Sequence, residues 1–471
     1  MKKLTLVLLF SALLFMTFVA NGSFYPIIVS LNVFASNGDI IIGGDEIFEI
    51  KNVEYILDGN VIVKDNGVLI IENSTLILGE SYFNITIKDN GNLTVINSIL
   101  DTNALWNDVY FLDNAVIEMK KVTIEGEPLI GAGVFLHFYN NSKVHISDSI
   151  IKADLNLFGN STSVIVNSHF IDLASPRVYD NSSLWVLNTV IDHKIYVYGS
   201  SKVKVQHSIL GTYMDVHDSS SVLIFDQSIL KGGIVCDGNA VVEIWNSTTN
   251  DVTTYGWSYV RVSNSVVKGH EAAEGLISHD YSSIEVFNSD ISEVESQHHS
   301  SILLTNSSID YSVNAYDMST INLLNTTYGW IKVEDYAKVD VAWYLTVYTF
   351  WNNSPISNAT IEIYYAHNGS LVQKAFSNLN GMASFLLKEK IVYSDATLFV
   401  GNYTIRITYE NLTEIKNVIL TSGMEMIVVI PELSFGVVLL SCLTAVLGVT
   451  LLRQKRKKSI YRIYTSGFQK D

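Results

Sequence analysis

The sequence predicts an all-β solenoid in which short strands stack coil upon coil along one axis. A polar residue, usually Asn, is followed by Ser or Thr again and again at a spacing of roughly 18–27 residues. Two and four positions before each of these markers, apolar side chains alternate with polar ones, and a period of two is the signature of a strand. Apolar spacing of three and four, which a helix needs, is absent from the repeats.

The markers form one series through most of the chain. Its asparagines, which we expect to form a structural ladder, are Asn73, Asn97, Asn167, Asn188, Asn246, Asn264, Asn288, Asn306 and Asn325, and the other markers are Lys121, Asp148, His207 and Gln227. Asn tolerates the left-handed backbone of a sharp turn. In stacked coils its amide can donate to the next coil and accept from the previous one, which would satisfy a buried polar group. Thirteen markers predict about thirteen coils.

The strand pattern before the markers identifies the predicted core. The apolar pairs are Leu69 and Ile71, Leu93 and Val95, Val144 and Ile146, Leu184 and Val186, Val203 and Val205, Val242 and Ile244, Ile284 and Val286, and Ile302 and Leu304. This pattern resembles the asparagine ladder of right-handed parallel β-helix proteins, the pectate-lyase-like architecture, over residues 38–340. The resemblance rests on the repeat and involves no catalytic motif.

A second domain is predicted at residues 341–430, where the ladder stops and the strand-like runs become longer. The segments 355–363, 380–385 and 401–405 resemble the small Ig-like or transthyretin-like modules of prokaryotic surface proteins, which are related to the carboxypeptidase regulatory-like family. The resemblance implies a small β-sandwich that acts as a stalk or spacer.

Both ends of the chain carry membrane signals. Residues 1–35 read as a signal peptide with cleavage after Ala20 or Ala35, and an uncleaved N-terminal anchor is the alternative. The uncharged run 433–452 is long enough to cross a bilayer as a single transmembrane helix. The basic tail 453–471 is then cytoplasmic, so the bulk of the chain is extracellular. The segment 430–432 before this run resembles archaeal-type C-terminal anchoring signals.

Composition narrows the function classes. The formal charge of −17 argues against a nucleic-acid partner, because phosphate binding needs clustered Lys and Arg. The two cysteines, Cys236 and Cys442, form no disulfide framework. About fifteen Asn-x-Ser/Thr sequons favour an exported, N-glycosylated glycoprotein of the cell surface.

A column of ring-bearing residues lies nine or ten positions before the markers and predicts a glycan contact. Its members are Tyr179, Tyr198, His217, Tyr255, His279 and Tyr316, with Cys236 and Gln297 at the two remaining coils. The preceding residues are apolar or small and are expected to face inward, so the column should face outward. Stacked rings could bind sugar, since they offer apolar faces and polar tips. The alternative is a ladder that only stabilises neighbouring strands.

The coil from His270 to His299 is the acidic part of the solenoid and suggests an enzyme as the alternative function. It contains Glu271, Glu274, His279, Asp280, Asp290, Glu293, Glu295 and His298. It has no Arg and no metal-ligand spacing, so we assign no catalytic, cofactor or metal residue. The sequence favours a membrane-anchored surface protein with a structural, adhesive or glycan-binding role, whose partners are the membrane, carbohydrate or envelope proteins. A membrane-tethered polysaccharide lyase or glycoside hydrolase is the alternative.

Overall fold

The computed structural model describes residues 16–20, 23–27, 33–78, 83–102, 106–126, 133–269 and 275–430. The predicted transmembrane helix, the basic tail and most of the predicted signal peptide lie outside these residues. Within the signal segment, Met16–Ala20 pairs antiparallel with Ser23–Ile27. A search of the described residues finds no helix long and apolar enough to span a membrane.

The predicted all-β solenoid is confirmed, and it has about fourteen turns. Each turn contributes one strand to each of three parallel sheets, which we name A, B and C. Sheet A strands end just before a marker, sheet B strands follow it, and sheet C strands precede the next sheet A strand.

Sheet A strands are five residues long. They are Ile47–Lys51, Val68–Glu72, Asn92–Ile96, Val116–Lys120, Lys143–Ser147, Thr162–Val166, Ser183–Leu187, Lys202–Gln206, Ser221–Phe225, Val241–Trp245, Tyr259–Ser263, Ser283–Phe287, Ser301–Thr305 and Thr320–Leu324.

Sheet B strands shorten to two residues after the first five coils. They are Val33–Ala35, Glu54–Leu57, Thr75–Leu78, Ile99–Thr102, Thr123–Gly126, Ile150–Ile151, His169–Phe170, Val190–Ile191, Ile209–Leu210, Ile229–Leu230, Thr248–Thr249, Val266–Val267, Asp290–Ile291 and Ser308–Ile309.

Sheet C strands vary in length from three to six residues. They are Ile40–Ile42, Val61–Val63, Ile85–Ile87, Trp106–Phe111, Gly133–Phe138, Ala153–Leu157, Pro176–Val178, Ile195–Val197, Tyr213–Val216, Gly233–Cys236, Val252–Thr254, Leu276–Ser278, Val294–Ser296, Ser312–Ala315 and Trp330–Val333.

The register places equivalent residues of successive coils side by side, which builds a continuous apolar core. Leu93 pairs with Leu69 on one side and with Ile117 on the other. All eight predicted apolar pairs of sheet A are buried, as their period of two requires. Burying such a side chain stabilises the fold by about 1.5–3 kcal/mol, so the repeated burial compensates for the shortness of each strand.

The described part of the chain divides into two compact units, and the division falls between Lys338 and Val339, with Asn322–Asn325 assigned to the second unit. The second unit has one sheet built on the long strand Lys338–Trp351, which pairs with Met382–Val392 and Met424–Val429, and to which the short strands Ser354–Pro355 and Thr397–Phe399 are added. Its other sheet is antiparallel, in the order Leu371–Phe376, Thr360–Tyr365, Asn402–Tyr409, Leu412–Ile419.

The two sheets of the second unit bury apolar faces. Ile361, Ile405 and Phe385 are buried. The hydroxyl of Tyr403, in the antiparallel sheet, donates to the carbonyl of Lys388 in the other sheet at 2.6 Å. Burial raises the pKa of Tyr403, as expected for a phenol enclosed between two sheets.

Candidate functional site

The marker asparagines occupy left-handed turns on the outside of the solenoid. φ is 51° at Asn73, 48° at Asn97 and 49° at Asn167. The remaining ladder asparagines share this backbone, with φ of 48° at Asn188, 48° at Asn246, 50° at Asn264, 49° at Asn288, 51° at Asn306 and 50° at Asn325. Asn is among the few side chains that adopt this conformation at little cost, which explains the recurrence of Asn at these positions.

Two details of the predicted ladder are wrong. Nδ2 of Asn97 donates to Oδ1 of Asn73 at 3.3 Å, which is the coil before it rather than the coil after it. Both side chains are exposed, because the sharp turn directs the marker away from the core. The ladder therefore lies in solvent and contributes less than a buried network would.

The buried polar column is formed by the residue after each marker. Ser98 is buried, and its Oγ accepts the backbone N–H of Ser74 at 3.1 Å. The same Oγ donates to the carbonyl of Ile96 at 2.7 Å. The hydroxyl thus satisfies backbone groups in two coils, which explains why Ser or Thr follows the marker.

The sequence prediction missed the first rung of the marker ladder, Asn52. Its φ is 56°, and its Oδ1 accepts a hydrogen bond from Nδ2 of Asn73 at 3.3 Å. Val53, rather than Ser or Thr, follows it. Two signals in the sequence could have identified it: its spacing to Asn73 and the apolar residues Phe48 and Ile50 before it. With this rung, the number of coils rises from the expected thirteen to about fourteen.

Part of the predicted ring column forms a stack along the outside of the solenoid, at the ends of the sheet C strands. The ring centroids of Tyr179 and Tyr198 are 5.2 Å apart and those of Tyr198 and His217 are 5.0 Å apart, with planes 8° and 7° from parallel. The stack extends toward the N-terminus through Phe158 and Tyr139, with centroid spacings of 4.8 Å and 4.8 Å. Burial raises the pKa of the Tyr179 and Tyr198 hydroxyls.

The remaining column residues form a shorter stack and an isolated ring. Tyr255 and His279 stack at 4.8 Å with planes 3° apart. Burial lowers the pKa of His279. Tyr316 holds the ammonium group of Lys332 over its ring at 5.2 Å from the centroid.

This geometry decides what the column can offer to a ligand. Rings that stack on rings in the coils before and after them present edges and polar tips to solvent, because both faces are covered. The stack that ends at His217 is separated from the stack that begins at Tyr255 by one coil. Stacking of a sugar against ring faces is therefore restricted to the ends of the stacks, and the stabilising alternative accounts for the interior rings.

The expected position of Cys236 in this column is wrong. Its side chain is buried in the core, and burial raises the pKa of its thiol. Asp237 takes the column position, and Val235 faces outward. Asp237 lies nine residues before the marker Asn246, whereas Cys236 lies ten before it. A count of ten holds for His217, because the extra residue Asp226, with a left-handed backbone beside that of Gln227, lies between His217 and its marker.

A polar cluster beside the ring column was not predicted. Asp154 forms an ion pair with Arg177 and accepts the backbone N–H of Ser175 at 2.8 Å. Oγ of Ser175 lies 2.8 Å from Nδ1 of His193, and burial, followed by the charge of nearby Lys194, lowers the pKa of that imidazole. Ser175 is fully buried, so its hydroxyl positions the histidine and is closed to a substrate. These residues come from different coils, and no local sequence signal brings them together.

Three carboxylates of the acidic coil accept hydrogen bonds from groups in neighbouring coils. Asp280 accepts the backbone N–H of Gly256 at 3.1 Å. Oε1 of Glu293 accepts a hydrogen bond from Nδ2 of Asn314 at 2.6 Å. Asp290 accepts one from the hydroxyl of Ser308 at 2.5 Å. Residues 270–274 of this coil, including His270, Glu271 and Glu274, lie outside the described residues.

His298 is the member of this coil that contacts two carboxylates. Its Nδ1 lies 3.4 Å from Oδ1 of Asp280, and its Nε2 lies 4.0 Å from Oδ2 of Asp317. Glu295 is held by the side-chain amide of Gln297 in the same strand region. Over the ranges that the structure describes, no group of three or more His, Cys, Asp or Glu side chains is arranged to hold a metal ion.

Comparison with known proteins gives no family. No protein-family model matches the chain, and no curated protein matches it. Among solved structures, the chain is similar to the Bacillus anthracis TIE protein, with 23% identity over 22% of this chain and 19% of that one and a TM-score of 0.17. It is also similar to the shaft pilin SpaA from Lactobacillus rhamnosus GG, with 14% identity over 19% of this chain and 48% of that one and a TM-score of 0.15. These matches span less than half of either relative and are too partial to support an argument about fold or function.

Proposed function

We propose that the chain is a membrane-anchored, N-glycosylated protein of the cell exterior with a structural or adhesive role. The observation that carries the proposal is the ring stack through Tyr179 and Tyr198, since it uses ring faces to hold coils together. Such a column favours a stable scaffold over a catalytic cleft. Glycan contact remains part of the proposal at the ends of the stacks, near His217 and Tyr255.

The same proposal assigns each of the three parts of the chain to a more specific class. The solenoid is pectate-lyase-like in its repeat, the second unit is an Ig-like spacer, and the C-terminal run is a membrane anchor of archaeal type. Support for the anchor comes from the apolar run 433–452 and the basic residues that follow it. Support for exposure to the exterior comes from the sequons, of which Asn181, Asn73 and Asn246 have exposed side chains.

The enzyme alternative is a polysaccharide lyase or glycoside hydrolase acting through the acidic coil. One observation favours it: His298 lies between the carboxylates of Asp280 and Asp317. Glycoside hydrolysis needs a pair of carboxylates, and an imidazole between them could tune their protonation.

The test is a glycan-array screen of the full-length protein, with product analysis on every glycan that binds. The proposal expects no new reducing ends and no unsaturated sugars. New chain ends that disappear in Asp280→Asn would support the enzyme and overturn the structural role. Asp218→Asn is the matched control, because Asp218 accepts the backbone N–H of Gly199 at 2.9 Å in the same way that Asp280 accepts that of Gly256.

A further inference from the structure

One position of the coil changes its residue type abruptly along the solenoid. It is the second residue of the turn between sheet C and sheet A, and its backbone N–H donates to a turn carbonyl one coil earlier. In nine successive coils this position holds Asn66, Asn90, Asn114, Asn141, Asn160, Asn181, Ser200, Ser219 and Asn239. In the five coils that follow it holds Trp257, Tyr281, His299, Met318 and Tyr336, which we call the apolar strip.

The fold does not require the residues of the apolar strip. Asn and Ser are favoured at such turns, and nine coils of the same chain form the turn with them. The strip is exposed: the solvent-accessible fraction is 66% for Trp257, 58% for Met318 and 88% for Tyr336. Large apolar side chains held in solvent, in place of the residues that the turn prefers, indicate a contact surface.

Three members of the strip form a ring stack, and the strip continues into two further coils. The ring of Tyr281 stacks on Trp257 at 4.5 Å and on His299 at 5.0 Å, with both pairs of planes 7° from parallel. Met318 and Tyr336 follow in the next two coils. Because Met adapts its shape easily, this end of the strip can accommodate a planar or rod-like group beside the Tyr336 ring.

A shallow open groove of about 570 Å³ runs along this end of the strip. Its other side is formed by the first residues of the same turns, Asp280, His298, Asp317 and Asp335. Asp280 and Asp317 accept backbone N–H groups of Gly256 and His298 at 3.1 Å and 3.0 Å, which fixes their carboxylates beside the rings. Of the described residues that line the groove, none is Lys or Arg, so its permanent charges are all negative.

We propose that this groove binds Arg or Lys side chains of a partner protein. A cation is attracted both to an exposed aromatic face and to carboxylates. The groove offers the Tyr336 ring, which is 88% exposed, on one side and the carboxylates on the other. An Arg side chain fits best, because its planar guanidinium stacks on rings while it donates to carboxylate oxygens. The net charge of −17 steers such a partner toward the chain. The inference goes beyond the proposed surface role and does not depend on the membrane anchor.

The test measures binding of acetylated hexa-arginine to the full-length protein by calorimetry, with hexaglutamate and cellohexaose as further probes. Two groove variants are compared with wild type: Met318→Asn with Tyr336→Asn, and Asp317→Asn with Asp335→Asn. Asn occurs at the second turn position in earlier coils, and it tolerates the left-handed backbone of the first turn position, so both variants are expected to fold. The matched controls are Asp218→Asn, at the same turn position outside the groove, and Tyr311→Asn, which removes a ring that is 61% exposed elsewhere.

We expect hexa-arginine to bind wild type, with an affinity that falls about tenfold or more in each groove variant and stays within about twofold in the controls. Equal losses in Asp218→Asn and in the Asp317 and Asp335 variant would mean diffuse attraction to an acidic surface and would overturn the proposal. Absence of binding to wild type would also overturn it. Binding of cellohexaose that is lost in the groove variants would assign the groove to sugar instead.

Discussion

The ring of Tyr198 lies between those of Tyr179 and His217, at centroid distances of 5.2 Å and 5.0 Å. Both of its faces are therefore covered, and the ring stabilises the packing of three successive coils against one another. An aromatic pair contributes about 0.5–1.5 kcal/mol beyond the burial of its area. Ring stacking on the outer surface of the solenoid therefore contributes to its stability.

Tyr198→Leu tests this stabilising role. The variant loses two stacking contacts, so we expect the free energy of unfolding to fall by about 1–3 kcal/mol. Urea unfolding followed by circular dichroism measures the change. Tyr336→Leu is the control, because the Tyr336 ring is 88% exposed, and its loss should change stability by less than about 0.5 kcal/mol. Equal losses in the two variants would contradict the role of the stack.

Lys121→Asn should stabilise the protein. Lys121 is the marker that departs most from the repeat, yet it has the same left-handed backbone, with φ of 54°. A Lys side chain is strained there and Asn is not, so we expect a gain of about 1 kcal/mol in unfolding free energy. Lys120→Asn removes the same charge from a strand position and should give no gain. A gain of equal size from Lys120→Asn would show that charge, rather than backbone conformation, is responsible.

Cys236 should be unreactive in the folded protein. Its thiol is buried, and burial raises its pKa, so little thiolate is available. In a Cys442→Ser background, we expect its reaction with a thiol reagent to be slower by about a hundredfold or more in buffer than in urea. Ser219→Cys, at an exposed turn, provides a reactive reference in a Cys236→Ala, Cys442→Ser background. Rapid labelling of Cys236 in buffer would contradict its burial and would indicate that its side chain lies in the outer column.

Tyr259 should make stability fall at high pH. Burial, together with a hydrogen bond of 2.8 Å to Glu285, raises the pKa of Tyr259 to about 12. A folded pKa above the unfolded value means that this contribution is complete below about pH 10 and is lost as pH rises toward 12.

Wild type should therefore lose more stability than Tyr259→Phe between about pH 9 and pH 11.5, as measured by urea midpoints. Glu285→Gln should reduce the loss, because a neutral partner raises the tyrosine pKa less. Identical pH profiles for wild type and Tyr259→Phe would show that the hydroxyl has the same pKa in the folded and unfolded states.

The sequence predicted the solenoid well because its repeat is a local signal. The alternation of apolar residues around Leu93 and Val95 defines strand, face and coil spacing together. Positions that depend on one extra residue were less predictable: Asp226 lengthens the spacing between His217 and its marker Gln227 to ten, and the same spacing applied to Asn246 selected the core residue Cys236 in place of Asp237. The exposure of Asn97 was also missed, because the repeat identifies a left-handed turn in the sequence without giving the direction of its side chain.

The candidate sites were harder to predict for a different reason. The contact of Asp154 with Arg177 joins residues from neighbouring coils, and only the register determines which coil faces which. The switch from Asn239 to Trp257 is visible in the sequence, but it becomes meaningful only when the turn residues are aligned by their hydrogen bonds.

The most direct test of the proposed role asks on which side of the membrane the second unit lies, because the proposal places it and the solenoid on the outside. An epitope inserted at Gly369, in an exposed turn with φ of 69°, is compared with an epitope fused after Asp471, each in cells that express the full chain. The account predicts that antibodies label the Gly369 epitope on intact cells and the C-terminal epitope only after permeabilisation. Labelling of the Gly369 epitope only after permeabilisation would contradict an extracellular scaffold.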